Sequence, residues 1–146
     1  MAWLTKKPDY KVSDEIARAQ VTLILEHYQI DVEGIPDADQ KRATSQALEK
    51  LVGFVRQGMI EVRSDPFKVT QNLLHPPAGG NAKPIEYEEL RGEHHIAMDA
   101  FKTDAIYKRI FALMVSLSGW GGDVFSKIEG IDLSATECLG LLFLSA

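Results

Sequence analysis

The sequence predicts an α+β fold, mostly helical, with an N-terminal αα-hairpin, a small antiparallel β-sheet in the middle, and C-terminal helices packed on it. Three observations carry this. Apolar residues recur at helical spacing between Ser13 and Gly58, switch to alternation with polar residues between Ile60 and Leu90, and return to helical spacing from Ile96 onward. Residues 1–12 read as a polar arm, 13–58 as the hairpin and 59–146 as the sheet with its helices, all within one compact domain.

Each element has its own signal. Ser13 is an N-cap, with Asp14 and Glu15 set against the positive end of the helix dipole. Ala17, Val21, Ile24, Leu25 and Tyr28 then share one stripe, and Gly34-Ile35-Pro36 redirects the chain. A second helix runs from near Asp37 to about Gln57 with Ala47, Leu48, Leu51, Val52 and Val55 inward. Gly58 sits where a helix ends in the left-handed conformation, with Met59 folding back on Phe54.

Ile60-Glu61-Val62-Arg63 and Phe67-Lys68-Val69-Thr70 alternate on either side of Asp65-Pro66. Pro76-Pro77-Ala78-Gly79-Gly80-Asn81 makes the next turn. Ile85, Tyr87 and Leu90 then alternate with Glu86, Glu88 and Glu89, a strand with one acidic face.

Beyond it, a short helix turns Ile96, Ala97, Ala100 and Phe101 inward. Thr103-Asp104 caps a longer helix whose stripe of Ile106, Ile110, Leu113, Met114 and Leu117 is widened by Tyr107, Phe111 and Val115. Gly119-Trp120-Gly121-Gly122 breaks it, and Val124, Phe125 and Ile128 add a turn or two. Ser134-Ala135-Thr136-Glu137 is a capping box, with Leu133 and Cys138 as a hydrophobic staple, so the last helix is predicted to start at Ser134.

Composition narrows the function classes. The 146 residues are 45% hydrophobic and 25% charged, the profile of a globular domain. No apolar run reaches the roughly 18–20 residues that span a bilayer, and the first residues show no apolar signal segment. A cytoplasmic protein that does not enter membranes is expected. The net charge of −5, with basic residues interleaved among acids, argues against a nucleic-acid partner, which needs a concentrated basic face.

Catalytic and cofactor signatures are lacking. Glu93-His94-His95 is the one cluster of metal-ligating types, and its adjacent histidines point in different directions. They read as solvated residues opening a helix, with His27 and His75 equally free of a ligand-like pattern. Gly79-Gly80-Asn81-Ala82-Lys83 precedes a proline and a strand rather than a helix, so it is a hairpin turn and not a phosphate loop. Cys138, the single cysteine, falls on a core-facing position as a structural thiol. No enzyme, cofactor or metal is expected.

The sequence does carry surplus apolar surface. Trp120 lies in a glycine-rich break, Phe125 follows, and the chain runs through Leu141, Phe143 and Leu144. These five are the candidate protein-binding residues, since aromatic and aliphatic anchors dominate interfaces.

From Phe67 to Ala146 the order of features resembles the tail assembly chaperone family of Mu-like and P2-like tailed phages. A strand runs from Val69-Thr70 through Leu74-His75-Pro76 into a polar glycine turn, and a second strand ends in Leu90-Arg91. A short helix containing Asp99 and a longer apolar helix ending in Leu117-Ser118-Gly119-Trp120 follow, then Ile131-Asp132-Leu133 opens a final helix. The hairpin of 13–58 lies outside the resemblance. The likeness implies a non-enzymatic chaperone in the host cytoplasm that holds a tape-measure protein in solution during tail assembly. Two alternatives stay open. One is a bacterial adaptor or oligomeric scaffold dimerising through the N-terminal hairpin, and the other is a metal-dependent enzyme using Glu93, His94 and His95.

Overall fold

The computed structural model describes residues 9–77, 83–99, 101–102 and 105–146. The elements are α1 (Asp14–His27), a 3-10 turn (Val32–Gly34), α2 (Ala38–Arg56), β1 (Ile60–Ser64), β2 (Phe67–Gln71), β3 (Ile85–Tyr87), α3 (Gly92–Met98), α4 (Ile106–Ser118), α5 (Gly122–Phe125) and α6 (Gly130–Leu144). The strands form one antiparallel sheet in the order β1-β2-β3, and the fold is α+β. The glycine turn at 79–81 and the Thr103-Asp104 cap lie outside the described residues.

The hairpin forms for the local reasons its sequence supplies. Ser13 Oγ accepts the Ile16 N–H at 3.2 Å and Asp37 Oδ1 accepts the Gln40 N–H at 2.9 Å, so both helices start on side-chain caps. At the end of α2 the Met59 N–H reaches Phe54 O and the Gly58 N–H reaches Val55 O, each at 3.0 Å. Gly58 has φ +78°, which a residue with a Cβ adopts only under strain. Met59 and Phe54 are both buried.

Register follows from the alternation. Val62 faces Val69, and Val69 faces Tyr87, so Ile60, Val62, Val69, Ile85 and Tyr87 line one buried face. Leu90 lies beyond the last strand and only packs against the core. His27 stacks on Phe67 with ring centroids 3.8 Å apart and pairs with Glu89, a carboxylate that sequence spacing did not bring near it. Tyr28 Oη accepts the Leu90 N–H at 3.1 Å, tying the end of α1 to the β3–α3 connection.

A buried polar node fixes α6 against the sheet. Gln71 is fully buried. Its Oε1 accepts from Tyr87 Oη at 2.7 Å and from Thr136 Oγ1 at 3.1 Å, while its Nε2 donates to Asp132 O at 3.1 Å. The Asp132 carboxylate, also fully buried, accepts the Leu74 N–H at 2.9 Å and the His75 N–H at 2.8 Å. Both the oxygen and the nitrogen of this one β2 side chain are therefore bonded, as burial demands.

Four expectations are corrected. The last helix begins at Gly130, four residues before the capping box, with Glu129 as an N-cap that makes no side-chain bond. Ser134 is inside the helix. The long-range bonds of Asp132 and Gln71 set the start of α6, and they outweigh a local capping pattern. His94 is 1% exposed rather than solvated, while Ile96, assigned inward, is 70% exposed. The inward residues of α3 are His94 and Met98. On α4, Tyr107 is 68% and Phe111 39% exposed, so neither widens the buried stripe.

Candidate functional site

α6 is apolar around its whole circumference, with Asp132 and Glu137 its only charged residues. Such a helix belongs in the interior. It packs on α2 along one flank and α4 along the other, and its inner face carries Leu139, Leu142 and Phe143 into the core. The contact with α4 is close, because a Cβ on Gly140 would overlap Ile110 Cγ2. Glycine lets the two backbones approach.

Between α2 and α4 a stripe of α6 is left uncovered. Three hollows of about 370, 240 and 750 Å³ adjoin along it, and Tyr107 borders all three. The first lies between α4 and α5, with Phe111, Phe125 and Leu133 in its wall. The second runs between Ala43, Ala47 and Lys50 of α2 and Leu133, Cys138 and Leu141 of α6. The third opens between Asp39 and Gln40, Ile106 and Arg109, and Leu141 and Leu144. Leu133, Glu137, Leu141 and Leu144 lie at helical spacing on one face of α6 and make the floor. At 1.5 Å per residue, that floor is about 16 Å long, roughly three helical turns.

The groove therefore has a leucine floor interrupted by Glu137, and Lys50, Asp39 and Arg109 stand in its walls. Cys138 borders it while being 6% exposed, and burial pushes its thiol above the ordinary range. A buried, protonated thiol is a poor nucleophile.

The five residues singled out by sequence fall in different places. Phe125 and Phe143 are core residues, 3% and 2% exposed, although one edge of Phe125 reaches the first hollow. Phe143 packs edge-on against Tyr28 and Tyr87. Trp120 is half-buried against the core, and its backbone N–H donates to Ser118 Oγ at 3.0 Å. Leu141 and Leu144 are half-buried and line the groove together. Sequence reasoning missed Tyr107, Phe111 and Leu133. The available signal was excess: α4 has more apolar residues than one stripe needs, and Tyr107 and Phe111 are spaced four apart as a second one. On the hairpin, Ile16 is the one large apolar side chain exposed among the described residues of α1 and α2.

Comparison with protein-family models, with curated proteins and with solved structures finds no match to this chain.

Proposed function

We propose that this chain is a non-enzymatic protein-binding domain that receives one amphipathic helix in the groove along α6. The observation that carries the reading is a predominantly apolar helix with one stripe uncovered between two helical walls. An amphipathic helix laid in the groove would cover Leu133, Leu141 and Leu144, with its polar face meeting the charged residues of the walls. A floor of about three turns matches a helical segment of roughly eleven residues.

Together with the resemblance carried by residues 67–146, this supports a tail assembly chaperone whose client is the long, helix-rich tape-measure protein of a phage or prophage. A net charge of −5 helps such a complex stay in solution. Co-expression with the tape-measure protein of the same genome tests the proposal. The client should become soluble and co-purify, and Tyr107→Ala with Leu133→Ser should release it without lowering the melting temperature. A client that stays insoluble, or one held equally well by the double variant, overturns it.

A further inference from the structure

A second constellation stands where β3, α3 and α4 meet. β3 ends at Tyr87, and the Glu88 N–H then bonds to Leu117 O at 2.9 Å, which pins Glu88 to the last turn of α4. Glu93 and His94 lie in the first turn of α3. The His94 side chain is 2% exposed, and its Nδ1 is 2.8 Å from Ser116 Oγ on α4. Its Nε2 is buried with no hydrogen-bond partner, and it faces Glu88 Oε2 and Glu93 Oε1, each 3.7 Å away. The three ligand atoms lie within 4.8 Å of one another.

We infer that His94 Nε2, Glu88 and Glu93 form a binding site for a divalent transition-metal cation of the zinc type. With Nδ1–H donating to Ser116, a neutral ring turns the Nε2 lone pair toward two carboxylates. Three electron-rich atoms then converge on one point, which is stable around a cation. Holding the second ring nitrogen by a hydrogen bond is also how proteins orient a metal-binding imidazole.

The dimensions agree. Zinc bonds of about 2.0–2.2 Å in a tetrahedron place neighbouring donors about 3.4 Å apart. The distances from His94 Nε2 need to shorten by only a few tenths of an ångström, while the two carboxylate oxygens must approach each other by up to about 1.4 Å, which side chains 49% and 66% exposed can do by turning. One imidazole with two carboxylates suits zinc or manganese better than cations that prefer thiolates or an all-oxygen shell. Three protein donors leave at least one position for water on the solvent side.

The sequence offered Glu93 and His94 together with His95 and gave no sign of Glu88. Glu93 and His94 are sequence neighbours, and Glu88 arrives from across the strand–helix connection. The site is separate from the groove along α6, so either can fail without the other.

The rival occupant is a proton, because an imidazolium would also face both carboxylates. Titration of the tag-free full chain with zinc at pH 7.5, read by calorimetry and by nitrogen NMR of the histidine rings, separates the two. One zinc per chain should bind, shifting the His94 Nε2 resonance while Nδ1 keeps its proton, and raising the melting temperature. Glu88→Gln with Glu93→Gln should weaken binding at least tenfold. These partly exposed positions are chosen because replacing the buried His94 endangers folding. The inference is overturned if the wild-type chain binds no stoichiometric zinc, if the double variant binds it equally well, or if the His94 ring does not respond.

Discussion

Replacing Asp132 with alanine tests what starts the last helix. Its carboxylate accepts the N–H groups of Leu74 and His75 at 2.9 and 2.8 Å from a fully buried position. A hydrogen bond to a charged group contributes about 1.5–3 kcal/mol, and two of them set the ceiling. Relief from holding a carboxylate out of water offsets part of that, leaving a net loss of about 2–4 kcal/mol. With a urea dependence of about 1–3 kcal/mol per molar, the unfolding midpoint should fall by on the order of 1–2 M with an unchanged slope. Ser134→Ala is the paired control. If Ser134 were the N-cap, its loss would cost about 0.5–2 kcal/mol. Inside the helix, its replacement should stay within about 0.5 kcal/mol of wild type. A large loss for Ser134→Ala beside a silent Asp132→Ala would refute the start at Gly130.

Burial pushes the Tyr87 phenol above its ordinary value, so the unfolded chain ionises first. The contribution is intact below about pH 10 and declines above it, by up to about 1.4 kcal/mol per pH unit. Tyr87→Phe should flatten that alkaline limb in pH-dependent urea melts, while losing about 1 kcal/mol at neutral pH with the bond to Gln71. Cys138 should react slowly with a disulfide reagent at pH 8 and at once in denaturant, and an occupied groove should slow the native reaction further. Met59→Ala should destabilise by about 2–5 kcal/mol, because a fully packed side chain is removed from the seam between α2 and β1.

Legibility in the sequence divides along the range of the interactions. Ser13, Asp37 and Gly58 could be read because a cap or a left-handed glycine needs only neighbours within a turn. The strands were readable because alternation records which face is buried. The start of α6 was misread because Gln71 and Asp132 are 61 residues apart, and their bond outranks the local box at Ser134. Likewise, apolar character alone could not show that Tyr107 faces water while Ile110 is buried. That difference depends on α2 and α4 standing apart over α6. His94 gave a polar signal, and only the arrival of Ser116 and Glu88 from elsewhere makes burial tolerable.

The groove along α6 is best tested by chemical-shift mapping of the isotope-labelled chain, titrated with amphipathic helical segments of the proposed tape-measure client. Saturable shifts should centre on Tyr107, Phe111, Leu133, Glu137 and Leu141, with the sheet face and α1 undisturbed. Shifts centred on α1 and β1, or none at concentrations that saturate co-purification, would contradict it.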